Sequence, residues 1–312
     1  MTQSIRTIYG DIQIPESEDD LLSRFLRRYG EWAYVETQLL ATVLEDGDRV
    51  WDVGAFLGTF GLGLVSQVPV RFLLAAEAQA SLMPLLRNNL EANAPCPFAV
   101  VQAAVTDKAG PMRPVTQPDN VNFGATCFEP ASPDDQDCVP GLTLQALRDA
   151  NGDYDVLKLD IEGLERQALR GDIRYLRDRK PVIWAECNEA ISSLELFNML
   201  LWLKYQPVYV AFPVFRKDNF RGCDSRIFPF AYEAALLAAP PERLERLNPK
   251  ATPEECIIRP VESAFALRKA LWETPRWGQS EWVGKSKAEL IACMGRLVKG
   301  QQLKTFLNTK SE

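Results

Sequence analysis

Two stretches of this sequence end an apolar run in a carboxylate: VWDVGAFLGTFGLGL at Val50–Leu64 and VLKLDIEGLE at Val156–Glu165. Each reads as a buried strand, a tight turn and a helix. In an open α/β sheet, ligands bind beyond the carboxyl ends of the strands, so Asp52 and Asp160 stand where chemistry is done. Asp160, Glu162 and Glu165 follow one strand, and Glu186 closes the next, PVIWAE. The chain contains no histidine. That removes Ser-His-Asp and Cys-His catalysis and histidine-held metals, and leaves a carboxylate, Lys, Tyr or Cys as any general base. Asp160 is the first candidate for a catalytic or cofactor-amine contact, with Glu162 and Glu186 beside it. Partial burial or a like-charge neighbour would raise such a carboxyl toward working pH. Glu162 equally suits the N-terminus of the helix that follows it. Glu165 is expected on a helix face, paired with Arg166 or Arg170, and Lys158 beside a carboxylate. Asp160, Glu186 and Asn188 offer hard oxygens of the kind magnesium takes, but their spacing alone assigns no metal ligand.

A cofactor reading comes from the first segment. Gly54 and Gly58 let the backbone turn sharply and approach a ligand, and the helix after Gly58 offers unpaired N–H groups. Glu77 closes the next strand, the place from which a carboxylate accepts bonds from both ribose hydroxyls. A purely structural turn would use the same glycines. Phe56 occupies the middle glycine position of a dinucleotide fingerprint, and its bulk would crowd a pyrophosphate. S-adenosylmethionine carries ribose and adenine without phosphates, so it fits better than a nicotinamide cofactor.

These groups need a scaffold, and the pattern along the chain supplies one. Leu21–Leu44 has helical apolar spacing with a break at Gly30. Strands are predicted at Arg49–Val53, Val70–Ala76, Phe98–Ala104, Tyr154–Leu159, Pro181–Glu186, Pro207–Phe212 and Arg226–Phe230. Helices are predicted at Gly58–Gln67, from a Ser81 cap to Asn93, from Thr143, over Gly163–Arg170 and from Ala190 to Lys204. Alternating strands and helices imply βαβ units and a mostly parallel, seven-strand sheet covered on both faces. Three parts follow: an N-terminal helical segment at 1–48, a cofactor-binding α/β domain at 49–231, and a helical extension at 232–312. The extension is expected either to pack on the sheet domain or to make a homodimer contact. It holds Trp272, Trp277 and Trp282, read as core or interface residues, or else as sugar-stacking platforms. The polar run EPASPDDQDCVP, with Asp134, Asp135 and Asp137, is a solvated connector or part of a lid.

The bulk composition narrows the classes. A net charge of −7 disfavours duplex nucleic acid, which needs a basic face. No signal peptide and no long uncharged apolar run is visible, so a cytoplasmic protein without a membrane span is expected. Seven cysteines without a CxxC pair read as reduced thiols.

The sequence resembles the FkbM-type family of S-adenosylmethionine-dependent methyltransferases. The segments that carry the resemblance are WDVGAFLGTFGLGL, EAQASLMPLLRNNLEAN, QAAVTDKAG, Asn122–Gly124, LKLDIEGLERQALRG and PVIWAECNE, within Tyr34 to Phe230. Phe56, Ala78 and Asn188 stand where that family usually has Asn, Pro and a nearby His. The resemblance implies a class I, Rossmann-like methyltransferase. It implies that Asp52, Gly54, Ala55 and Gly58 line the amino-acid part of the methyl donor, that Glu77 holds the ribose, and that Gln102 and Ala103 lie beside the adenine. It implies O-methylation of a hydroxyl on a sugar, nucleotide sugar or glycan precursor, or on a macrolide or peptide natural product. A cofactor-binding subunit without turnover stays open as a reading of a different class.

Overall fold

The structure, a computed structural model, describes residues 2–16, 20–115, 126–132, 134–135, 137–228, 231–252 and 254–274. The chain opens on a hairpin, β1 (Thr2–Thr7) and β2 (Gly10–Pro15), then α1 (Leu21–Tyr29) and α2 (Tyr34–Ala41). The α/β core follows as β3 (Arg49–Val53), α3 (Thr59–Val65), β4 (Phe72–Glu77), α4 (Met83–Asn93) and β5 (Phe98–Gln102). An excursion of short strands comes next: β6 (Ala104–Val105), β7 (Gly110–Pro114), β8 (Phe128–Pro130) and β9 (Val139–Leu142). The core resumes with α5 (Leu144–Asn151), β10 (Val156–Leu159), α6 (Glu165–Arg170), α7 (Ile173–Arg179), β11 (Val182–Glu186), α8 (Ile191–Trp202) and β12 (Val208–Pro213). It closes with β13 (Tyr232–Ala238), α9 (Pro241–Leu244), β14 (Ile257–Pro260) and α10 (Ala264–Trp272).

Local chemistry explains several boundaries. Asp20 caps α1 by accepting the N–H of Ser23, and Gly30 ends that helix in the left-handed conformation. The Thr143 hydroxyl accepts the N–H of Ala146 and starts α5. The helix expected from Ser81 begins instead at Met83, with Leu82 as a cap that makes no side-chain bond.

The main sheet has eight strands in the order β14-β12-β13-β11-β10-β3-β4-β5. Strands β11, β10, β3, β4 and β5 run parallel, and β13 lies antiparallel between β11 and β12. This is the class I, Rossmann-like arrangement, with one more edge strand than the expected seven. The extra strand β14 and strand β13, both antiparallel to β12, come from the region expected to be helical. Residues 232–238 are a central strand, and 257–260 are the edge. Among the described residues the extension therefore completes the sheet, and only α9, a short 3₁₀ turn and α10 are helical there. The segment expected as a last strand, Arg226–Phe230, is not one in its described part, residues 226–228. The N-terminal segment also differs from expectation, because its first residues pair as a hairpin. Trp272 ends α10; Trp277 and Trp282 lie outside the described residues, as does Asn122–Gly124.

The core lies on both faces of the sheet, as strand periodicity requires. On β3 the side chain of Trp51 joins one core layer, with Tyr154, Phe197 and Leu236. Its neighbour Val50 joins the other, with Trp184, Phe212 and the residues of α1 and α2. Asp52 shares the face of Val50, and Lys158 the face of Val156. Register then sets Asp52, Lys158 and Trp184 side by side across three parallel strands. The carboxyl ends of β3 and β10 also mark the switch point, where the chain moves to opposite sides of the sheet.

One glycine is demanded by this geometry. Gly54 follows β3 with φ +83°, and a Cβ placed there would collide with the backbone carbonyl of Asp160. Gly54→Ala should therefore destabilise the fold by about 1–3 kcal/mol through left-handed strain and displacement of the turn after β10. Chemical denaturation checks this; a loss below about 0.5 kcal/mol would mean that the two turns can part freely.

Candidate active site

A cavity of about 450 Å³ opens at the switch point, a size typical of small-molecule sites. At one end Glu77, the last residue of β4, lies on its wall. The Glu77 carboxylate is almost fully buried and held by backbone donors: Phe56 N–H to Oε2 at 2.9 Å and Gln79 N–H to Oε1 at 2.8 Å. The two oxygens offer about four lone-pair sites, and these N–H bonds leave at least one for a ligand hydroxyl. Burial raises its pKa, and the N–H bonds from Gln79, Phe56 and Ala78 pull it back. Phe56 adopts a left-handed φ of 49° and lines the cavity, as do Gly54, Ala78, Gln79 and Ala103.

The other expected cofactor residues stand off the wall. Gln102 is paired in register with Glu77 inside the sheet and does not line the cavity. Ala55 donates its N–H to the Ala76 carbonyl, and Gly58 caps α3 with φ 82°. Asp52 is 0 % exposed. Its carboxylate accepts the Gly61 N–H at 3.2 Å and pairs with Lys158 Nζ at 3.3 Å, so it braces the start of α3 from below. Burial holds Asp52 above the usual carboxylate range, and Lys158 moderates the rise.

Lys158 is the hub of this layer, as the sequence reading expected of a partnered lysine. Its ammonium meets Asp52 at 3.3 Å, Asp160 at 3.2 Å and the Gly54 carbonyl at 3.1 Å. Burial works against its charge, but Asp160, Asp52 and Glu36 outweigh it, and the amine titrates above its ordinary value. Glu36 has no motif around it and escaped the sequence reading. It reaches the site because α2 crosses this face, where it accepts the Trp184 indole N–H at 2.6 Å. Burial pushes its carboxyl up to about 8, with Lys158 opposing and Asp160 adding.

The three expected catalytic residues, Asp160, Glu162 and Glu186, all line the far end of the cavity. One oxygen of each lies within 4.8 Å of the others. Asp160 is the outermost, its side chain 44 % exposed. Glu162 takes a left-handed φ of 51°. Burial first, then Asp160, Glu165 and Glu233, lifts its pKa to about 8. Glu186 is raised well above the ordinary value by burial and by Asp160 and Glu162. Its Oε2 is buried without a hydrogen-bond partner, while Oε1 faces the Asn188 amide at 3.5 Å. Glu233, on β13, was also missed, because its strand was expected to be helix.

Two expectations are corrected by the bonds made. Glu165 pairs with neither arginine; its Oε1 accepts the N–H groups of Ile161 and Gly163, both at 3.1 Å, and so fixes the loop that carries Glu162. Arg166 pairs instead with Glu195 and Arg170 with Asp107. The Asn188 oxygen is used locally by the Ala190 N–H at 3.0 Å and the Ser193 hydroxyl at 3.3 Å. Glu162 therefore replaces Asn188 in any set that would hold a divalent ion. Magnesium takes ligands at 2.0–2.1 Å, which puts adjacent ligand oxygens roughly 3 Å apart. The three carboxylate oxygens lie within 4.8 Å of one another, a bound that includes this spacing. Among the described residues of the acidic loop, Asp135 closes a turn on Ser132, and Asp134, Asp135 and Asp137 are not on the cavity wall.

The sequence at residues 70–206 matches the family described as methyltransferase FkbM domain. The chain carries a methyltransferase FkbM domain. No protein of curated function matches the sequence. Among solved structures, the chain is similar to an FkbM methyltransferase from Methylobacillus flagellatus KT, with 17 % identity and a TM-score of 0.39 over 62 % of this chain and 44 % of that one. It is similar to a precorrin-6y C5,15-methyltransferase from Geobacter metallireducens GS-15, with 15 % identity and a TM-score of 0.40 over 66 % and 86 %. It is also similar to a Pyrococcus abyssi tRNA (uracil-54, C5)-methyltransferase in complex with S-adenosyl-L-homocysteine, with 15 % identity and a TM-score of 0.39 over 75 % and 43 %. The chain thus spans less than half the length of the Methylobacillus protein. The FkbM domain match contains Glu77, Lys158, Asp160, Glu162 and Glu186, and leaves Asp52, Gly54, Glu36 and Glu233 outside it. Flanking segments therefore build part of the cavity wall that the FkbM domain opens onto. No helix among the described residues is long and apolar enough to cross a membrane.

Proposed function

We propose that this chain is an S-adenosylmethionine-dependent methyltransferase whose acceptor binds against Asp160, Glu162 and Glu186. The observation that carries the reading is one cavity with two differently built ends. At one end a buried carboxylate, Glu77, is fixed by two backbone N–H groups; at the other, three carboxylates converge. When bound, S-adenosylmethionine supplies an electrophilic methyl group. The residues fit it: Glu77 has a carboxylate lone pair for a ribose hydroxyl, and Gly54 and Ala103 line the cavity without large side chains.

The chain's own residues position an acceptor and take its proton. Glu162, with a pKa near 8, is matched to a general base at neutral to mildly alkaline pH, and Glu186 shares the task. Lys158 and Asp52 act through Asp160 by holding it in place. The family resemblance favours a hydroxyl on a sugar or glycan precursor, with a macrolide or peptide product as the alternative. A subunit that binds the donor without turnover would leave the three converging carboxylates without a use.

Calorimetry with S-adenosylmethionine and S-adenosylhomocysteine tests the donor site, and transfer of radiolabelled methyl to a glycan or metabolite extract tests the reaction. Saturable one-site binding of both nucleosides is expected. A folded protein that binds neither would end the proposal, and donor binding with no extract labelled would favour the subunit. Glu77→Ala should weaken donor binding by about 1–3 kcal/mol, because it removes the ribose acceptor and orphans two buried N–H groups. Unchanged affinity would move the ribose elsewhere.

A further inference from the structure

We propose that the acceptor is a cation, an amine-bearing molecule such as an amino sugar, whose ammonium group sits among Asp160, Glu162 and Glu186. This rests on the methyl-transfer reading of the cavity and adds the class of substrate to it. The site is already defined by its place at the switch point; charge and geometry say what it takes.

Lys158 is the single lysine or arginine among the described residues that line the cavity. It is already committed to Asp52, Asp160 and the Gly54 carbonyl. Lys158 is shared between Asp52 and Asp160, and the donor brings one net positive charge. The wall carries Glu36, Glu77, Asp160, Glu162, Glu186 and Glu233, so acidic groups outnumber the cations, and Glu162 and Glu186 are among those facing the acceptor. An alcohol brings no charge to them. The diphosphate of a nucleotide sugar would bring charge of the wrong sign, so that acceptor is disfavoured at this end.

An orphaned atom points the same way. Oε2 of Glu186 is buried with no hydrogen-bond partner, and a buried acceptor left unmade is costly. An ammonium group has three donors. At N–H···O distances near 2.8 Å, three acceptors around it stand roughly 4.6 Å apart, within the 4.8 Å that bounds these oxygens. The cavity wall also includes Trp32, Phe212 and Phe228, and aromatic rings favour a cation over a neutral group. Binding of an ammonium would return Glu162 and Glu186 to their charged forms, relieving what burial imposes on them.

The test uses the full chain loaded with S-adenosylhomocysteine and calorimetry at pH 8. Glucosamine, putrescine and phenethylamine are compared with their hydroxyl counterparts glucose, butanediol and phenylethanol. At least one amine should bind about tenfold or more tightly than its counterpart, and Glu186→Gln should remove most of that preference. Equal or weaker binding of every amine, or no binding by any, overturns the inference while bound S-adenosylhomocysteine leaves the methyl-transfer reading standing. Saturable binding of magnesium chloride that displaces the amine overturns it in favour of a divalent-cation site. Failure of S-adenosylhomocysteine itself to bind removes both readings together.

Discussion

Lys158→Met is expected to destabilise the protein by about 3–5 kcal/mol, the usual consequence of leaving one member of a buried ion pair alone. The argument begins with register. Parallel pairing sets Lys158 directly beside Asp52, and the period of two points both to the face covered by α2 and α3. Asp52 is 0 % exposed. Without the ammonium it keeps the Gly61 N–H at 3.2 Å as a partner and has Asp160 as a like-charged neighbour with no cation between them. The carboxyl must then take up a proton in the folded state. A folded pKa raised above the unfolded value contributes stability fully present below the unfolded pKa and lost as pH rises through the folded one. The deficit of the variant should therefore be small near pH 4 and grow as pH rises toward neutral. Urea denaturation across that range measures it. Asp52→Asn added to Lys158→Met should recover more than half of the loss, a coupling of the size seen for groups in direct contact. A single variant within about 1 kcal/mol of the parent at pH 7 would mean that Lys158 is not the counter-charge Asp52 depends on.

Much of the scaffold was legible because its signals are local. The two strand–turn–helix segments, the break at Gly30 and the Thr143 cap all depend on residues within one turn of the feature they set. The strand at Tyr232–Ala238 was hidden for the opposite reason. YEAALLA is rich in Ala, Leu and Glu, which favour helix in isolation. It is a strand because β11 and β12 present their edges to it on both sides, and tertiary context overrides propensity. The same limit applies to the site. Asp160, Glu162 and Glu186 could be named because each follows an apolar run that a strand must bury. Glu36 could not, because only the crossing of α2 over the sheet brings it to the Trp184 indole. Glu165 was visible but misread. Sequence spacing offered it two arginines, whereas its carboxylate turns back to the N–H groups of its own loop, where a short turn leaves donors that must be met. Gln102 fell off the cavity wall because the strand expected to run to Ala104 breaks at Ala103, and Ala103, Ala104 and Val105 line the wall after the break.

Glu186→Gln should make the protein more stable at pH 8 while sharply lowering methyl transfer. Burial raises the Glu186 pKa well above its usual value, and Asp160 and Glu162 raise it further. A carboxyl whose folded pKa exceeds its unfolded one binds more protons in the native state across the interval between them. Stability therefore falls as pH rises through that interval, at up to about 1.4 kcal/mol per pH unit for one proton. Below pH ~4.5 both states are protonated and the residue costs nothing. Glutamine is neutral throughout, so the variant escapes this loss. Its advantage should be absent near pH 4.5, grow as pH rises, and reach about 1–3 kcal/mol by pH 8. Loss of one of the two proton acceptors, with Glu162 left to act, sharply lowers turnover. A residue retained for packing would show the reverse: its amide would be neutral or destabilising and the reaction would continue. Thermal melts at paired pH values, run beside a methyl-transfer assay, separate the two. A Glu186→Gln protein less stable than its parent at pH 8 would show that the carboxylate is ionised and well partnered in the native state. It would then have no stored tendency to take a proton from the acceptor, and that task would pass to Glu162 alone.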